Sequence, residues 1–408
     1  MRSLRRVGRR APLAGFGLVG LLVVLLPAST FAADWSSAQR VTSNGGSRLD
    51  SLHQLAAGAG AFHLVHPRLD VAGNRDRVIY QRSQDGAARW GRERTLFTGN
   101  AGQPNVIPNL AIDARGPVVA VAWRSKGADG TKLWVRVSKN RGFSFGARAE
   151  VASSRPGLGV PAVTVGNDVI AVAWTERRNG VVKVSRSRDG GATFKKPTRI
   201  ASTKLSIDCR SKVLDGLVGL TSSGNRLHLA WSHAGTRKCL AGSIRMRTSN
   251  DQGKSWGRLR TVTKRRSYGW PELDARGSTV VATVQLPTGS LLVARSSKAG
   301  RDWGERLIKP AKGHLLSAGD ITLLSDRKAQ LAYVDELVRK KRLIATKVMT
   351  RSSNNDARRF GSATIVMERA ARLRLAPNVA STRDDLAIVL QSGAFDGSPR
   401  NIYAVRQK

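Results

Sequence analysis

Two carboxylates raise the question of chemistry. Aligning the starts of successive strand-like segments gives seven equivalent positions: Ser51, Asn109, Ala162, Gly216, Glu272, Asp320 and Asn378. Glu272 and Asp320 come from adjacent segments. Paired carboxylates serve as acid and base, or as nucleophile and acid, in glycoside cleavage. Tyr268 and Trp270 stand just before Glu272 and would put an aromatic beside a sugar or a base. Glu272, Asp320 and Tyr268 are therefore the catalytic candidates. The plainer alternative is polar lining of a wet channel. Other chemistries lack their motifs: no Gly-x-Ser-x-Gly elbow, no His-Glu-x-x-His and no phosphate-binding loop. Two Cys and six scattered His offer no zinc cluster, so neither a metal nor a cofactor is expected.

A second chemistry is ionic. The chain of 408 residues carries 69 Lys+Arg against 28 Asp+Glu, a formal charge of +41. Its hydrophobic content, 41%, still permits a packed core, so the charge does not signal disorder. The basic residues recur in particular loops. Arg265, Arg266, Arg339, Lys340, Arg372 and Arg374 are the ligand-binding candidates, with Trp270, Asn378 and Asn109 beside them. Such a surface suits an anionic polymer or an acidic glycan. A charge run that only aids solubility is the competing reading. No motif for sequence-specific nucleic-acid binding is present.

Residues 1–32 read as a signal peptide. MRSLRRVGRR holds five Arg and no acid, an apolar run follows from Leu13 to Leu26, and small residues surround Ala32. The run is shorter than the roughly 20 residues that span a bilayer. Cleavage there leaves 376 residues at a charge of +36. The mature chain is expected to be a secreted or cell-envelope monomer without an integral membrane span. In that compartment Cys209 and Cys239 are expected to form a disulfide, with two free thiols as the alternative.

The elements that position these residues follow from an internal repeat. The clearest copies are Ser187-Arg-Asp189-Gly-Gly191-Ala-Thr193-Phe194 and Ser249-Asn-Asp251-Gln-Gly253-Lys-Ser255-Trp256. A third is Ser138-Lys-Asn140-Arg-Gly142-Phe-Ser144-Phe145. Weaker copies surround Trp90, Trp303 and Phe360, and Trp35 begins a partial seventh unit. Asp or Asn can bond turn N–H groups, Gly supplies positive φ, and Ser or Thr ties the strand ends. Between boxes, alternating β-branched runs such as Val118–Trp123 and Val169–Trp174 mark strands. Each unit reads as strand A, turn, B, turn, C, box, D.

This pattern resembles the Asp-box (BNR) repeat of sialidase-like β-propellers, across nearly the whole of residues 33–408. The expected fold is all-β: a seven-bladed β-propeller with four-stranded antiparallel blades, a single domain over residues 33–408. The chain starts with a D-type strand and ends with A, B and C. The N-terminal strand should therefore join the last blade and close the ring. Alternating strand direction puts the A–B turns and boxes on one face and the B–C turns and D–A connections on the other. The resemblance places ligand binding on the second face, where Arg68, Arg75, Lys126, Arg155 and the basic runs fall. The A–B turns look balanced in charge, as in Asp113/Arg115 and Asp274/Arg276.

The resemblance also implies a sialidase-like exo-glycosidase acting on acidic sugars. The Arg-Ile-Pro motif it requires is absent; Arg199-Ile200 is followed by Ala. Sialidase-like enzymes usually have six blades, not seven. The leading expectation is thus a non-catalytic exported protein that holds an anionic partner, such as an acidic glycan or cell-envelope polymer. The glycosidase is one alternative, and a scaffold for an envelope protein is another.

Overall fold

The computed structural model describes residues 35–42, 48–50, 53–70, 75–99, 106–127, 130–155, 157–176, 180–203, 217–235, 241–267, 270–324, 327–340, 342–370, 377–392 and 401–407. The chain divides into Met1–Ala32 and Ala33–Lys408, and every described residue belongs to the second unit. The leader, Cys209 and Cys239 lie outside the described residues.

Seven antiparallel sheets form a propeller, with no helix among the described residues. Blade 2 shows the plan: strand A is Val106–Arg115, B is Val118–Gly127, C is Gly130–Ser138 and D is Ala149–Ser154, in the sheet order D-C-B-A. In blade 1 strand A is split. Arg48–Asp50 pairs the outer end of strand B, Ala61–Asp70, and Gln54–Gly58 pairs its inner end. Blade 7 takes Asn378–Ser381, Leu386–Ser392 and Asn401–Arg406 from the C-terminal end and Gln39–Arg40 from the N-terminal end. Gln39 faces Ala404 and Arg40 faces Tyr403, so one sheet joins the two ends of the chain and closes the ring.

Burial changes across a blade because the blades stack face to face. Strand B of blade 2 is buried on both faces from Val119 to Arg124. Strand C alternates buried and half-buried residues, and the D strands of blades 1 and 3 are exposed or half-buried except at one position each. The Val-Ala-Val-Ala-Trp runs therefore act as central strands packed by a neighbour on each side. Trp123, Trp174 and Trp231 are almost fully buried. Trp123 packs with Val65 and Val78 of blade 1, Trp174 with Leu133 and Val135 of blade 2, and Trp231 with Val182 and Val184 of blade 3. Their repetition serves packing between blades, and none faces a ligand surface.

The boxes are turns with one geometry. Gly191 N donates to Ser187 Oγ at 2.8 Å, and Thr193 N donates to Asp189 at 3.0 Å. The same Ser bond recurs at Gly142, Gly253 and Gly300, and at Ala87 and Ala357 in two weaker copies. All six residues at this position have positive φ, from 59° at Ala357 to 91° at Gly191. Each box also locks onto the blade before it. A Cβ on Gly142 would lie 1.8 Å from the Tyr80 hydroxyl of blade 1, and one on Gly300 would lie 2.2 Å from Met246 Cε of blade 4.

These two glycines should differ in tolerance. Tyr80 is buried and its hydroxyl sits 2.7 Å from His63 Nδ1, so it cannot move aside. Met246 ends in a flexible methyl group. Gly142→Ala is expected to cost about 2–4 kcal/mol, the sum of left-handed backbone strain and overpacking. Gly300→Ala should cost about half of that. Urea denaturation of both variants checks the order.

Candidate functional site: the channel and the basic rim

The seven A strands surround a channel of about 780 Å³. Strand pairing shows which of their residues share a level. Gln54, Ala111, Ala162, Gly219, Glu272, Asp320 and Asn378 each face an equivalent B-strand residue: Val65, Ala122, Ala173, Ala230, Thr283, Ala332 and Val389. The expected ring is therefore corrected in blade 2. In blade 2 the register shifts between Ile107 and Ala111, and this irregularity puts Ala111 where Asn109 was expected. Ser51 and Gly216 lie outside the described residues. Glu272 and Asp320 do occupy one level on neighbouring blades.

Three aspartates on these strands clasp the next blade. Asp113 Oδ2 accepts from Val165 N at 2.7 Å and Thr164 Oγ1 at 2.8 Å, and its Oδ1 accepts from Ala114 N at 2.8 Å. Asp274 repeats this with Leu323 N at 2.7 Å, Thr322 Oγ1 at 3.3 Å and Ala275 N at 2.7 Å. Asp320 does so with Val379 N at 2.9 Å, Asn378 Nδ2 at 3.4 Å and Ile321 N at 2.8 Å. A signal for two of the clasps stands in the sequence: Asp-Ala-Arg-Gly occurs at both 113–116 and 274–277. The clasps change the reading of the A–B turns. Asp113 and Asp274 balance Arg115 and Arg276 by count, but their carboxyls turn inward to the adjoining blade.

Burial in the channel disfavours carboxylate charge here. It raises Asp113 above the usual range, and it pushes Asp274 up to about 6 against the hydrogen bonds that favour ionisation. Asp320 is likewise raised, first by burial. Glu272 is raised furthest, to about 8, by burial and then by the charge of Asp320. The two carboxyls titrate as an interacting pair.

The expected site residues are distributed as follows. Glu272, Asp320 and Trp270 line the channel, with Trp270 toward the D–A end. Asn378 is buried and donates to Asp320. Arg265 and Arg266 are exposed, and Arg265 Nε donates to Glu305 at 2.7 Å. Arg339 and Lys340 are exposed at the tip of the blade 6 hairpin. Asn109 lies in strand A of blade 2. Tyr268, Arg372 and Arg374 lie outside the described residues. Three other arginines, Arg115, Arg276 and Arg383, line the opposite end of the channel, at the A–B turns.

The B–C turns and D–A connections share one face, as their hydrogen bonds show. Gly99 N donates to Asp76 O, Thr203 N to Gly180 O, and Val338 N to Gly313 O, at 2.7–2.8 Å. Arg75, Lys126, Arg155, Lys264, Arg266 and Arg342 are exposed on these segments. Lys309 and Lys312 join them; they stand in a short Pro-containing connection, outside the charge runs that draw attention in the sequence. Arg68 does not belong to this surface. It is buried and pairs with Glu93 at 2.6 and 2.7 Å.

No family model matches the chain, and no curated protein matches it. Solved structures do. An ulvan lyase of polysaccharide lyase type PL25, bound to -[GlcA(1-4)Rha3S]-, is 12% identical at a TM-score of 0.58, over 90% of this chain and 96% of that one. The phage phi92 endosialidase is 10% identical at 0.55, over 92% and 69%. A protein of unknown function from Dyadobacter fermentans DSM 18053 is 14% identical at 0.53, over 90% and 98%. At these identities the shared feature is the fold, a β-propeller.

Glu272→Gln gives a pH test of the channel. A carboxyl raised in the fold contributes stability below its unfolded value, and that stability is lost as pH rises through the folded value. Wild type should thus lose stability relative to Glu272→Gln between about pH 4 and about pH 9. Thermal melts across this range check it; parallel curves would place Glu272 in free contact with water.

Proposed function

We propose that this protein is exported and binds an acidic glycan or a cell-envelope polymer through the B–C/D–A face. The observation that carries the reading is the rim itself. Exposed Lys and Arg recur on the described loops of blades 1, 2, 4, 5 and 6, while Glu93 and Glu305 are already paired with Arg68 and Arg265. A spread of single charges suits a long polyanion, which meets several at once. A small substrate would need them to converge. The export reading rests on the leader-like residues 1–32. The likeness to carbohydrate-active propellers supports a glycan as the partner.

Binding of this kind is Coulombic and screened by salt. Affinity for an acidic polysaccharide should fall at least about tenfold between about 50 and about 200 mM salt, as for other proteins that release counterions from polyanions. The double variant Lys264→Glu, Arg266→Glu should weaken it further, with no effect on thermal stability. Retention of wild type on an immobilised acidic polysaccharide measures this. Binding that ignored salt and both substitutions would overturn the proposal.

A second reading, hydrolysis of acidic sugars, draws on Glu272, whose carboxyl is raised by burial and by the charge of Asp320 and which lines the channel. Asp320 is a poor nucleophile for it, since both its oxygens already accept hydrogen bonds. Turnover on a fluorogenic glycoside panel, abolished by Glu272→Gln, would establish this reading. No turnover on any acidic sugar would remove it.

A further inference from the structure

We propose that the long hairpin of blade 6 is a finger that enters the headgroup layer of an anionic lipid surface. Three observations converge on it. The first is reach. Strand B of blade 6, Ala329–Arg339, runs six residues past Tyr333, which holds the place of Trp123 in the strand pairing. In blade 5 strand B ends at Gln285, one residue past the equivalent Val284, and in blade 7 at Ser392, two past Leu390. At about 3.3 Å per residue, strand B of blade 6 runs about 13–16 Å beyond its flanking B strands and about 7 Å beyond those of blades 1, 2 and 4, which end four residues past the same level at Asp70, Gly127 and Gly235. Headgroup-level insertion needs about 5–10 Å.

The second is the tip. Arg339 pairs directly with Arg342, and Lys340 takes positive φ at 47°. The tip sequence is Arg-Lys-Lys-Arg over 339–342. The Lys312-Gly313 connection is tied to the same hairpin by Val338 N donating to Gly313 O at 2.8 Å. The nearby acid Asp335 is held by His314 at 2.6 Å, and Glu336 also has a partner. Basic groups near an anionic membrane each strengthen binding about fivefold.

The third is oil beside the charge. Ile344 on strand C is 42% exposed, and Leu315, which faces Glu336 of this hairpin from strand A, is 41% exposed. The register shifts between Leu337 and Val338, and Ile344 is the residue left unpaired. The shift turns an aliphatic side chain out of the ladder. Val338 and Leu343, paired next to the tip, are half-buried. A polysaccharide offers nothing to an exposed isoleucine at the root of a basic tip, whereas the headgroup–acyl boundary offers both anions and hydrocarbon.

The test uses the full chain and two kinds of vesicle, phosphatidylcholine alone and phosphatidylcholine with about 30% phosphatidylglycerol, in a sedimentation assay. Binding is expected to the anionic vesicles only. Lys340→Glu should reduce it at least about tenfold, by charge reversal. Ile344→Asp should reduce it about fivefold and leave retention on an acidic polysaccharide unchanged. Ile344 is exposed, so this variant should melt as wild type does. Equal sedimentation with both vesicles, or Ile344→Asp binding as wild type, would overturn the finger. Loss of polysaccharide retention in Lys264→Glu, Arg266→Glu with vesicle binding intact would separate the two surfaces.

Discussion

A blade of four strands has two apolar faces and cannot bury either one alone. The fold therefore depends on packing between neighbouring blades. Trp123, Trp174 and Trp231 sit at equivalent places because each fills the space against the preceding blade. The boxes add a second contact at the rim of the same interface, where a glycine without a side chain lets Tyr80 or Met246 close in. The Asp clasps add a third at the channel. Removing one blade would expose the faces of two others, so the ring must close. The pairing of Gln39–Arg40 with the last blade meets that need by joining both ends of the chain in one sheet.

This division of labour frees the loops. Charge repulsion among many Lys and Arg opposes compaction. Here the packing interfaces are apolar or hydrogen-bonded, and the exposed charge lies on loops and outer edges. Two arginines taken inward are held, Arg68 by Glu93 and Arg124 by the carbonyl of Leu158. The channel treats acids in the opposite way: they are half-buried along its wall, and three of them commit their oxygens to the backbone of the next blade. A carboxylate in the channel thus contributes to the frame before it contributes to chemistry, and Glu272 alone among the four bears no clasp.

Much of this was legible in the residues. Ser, Asp or Asn, Gly and an aromatic at fixed offsets specify a turn wherever they occur, because the bonds run within eight residues. Repetition of that turn gave the number of blades. The strand levels were harder to read. A register shift inserts residues without leaving a composition signal, so Asn109 was displaced by Ala111 on the channel ring. Arg68 looked like the other loop arginines, yet its partner Glu93 lies 25 residues on, across the blade. Asp113 and Asp274 carried a readable mark, the repeated Asp-Ala-Arg-Gly, but their acceptors' partners are on another blade.

The sequence by itself determined the repeat, the strand order, the closure of the ring and the sorting of loops between two faces. Each follows from local bonding or from alternation along a strand. Tertiary structure decided which charges are paired, which carboxyls are raised and how far the strands of one hairpin extend. Those properties depend on distances between residues far apart in the chain, and solvent exclusion by neighbouring blades sets them.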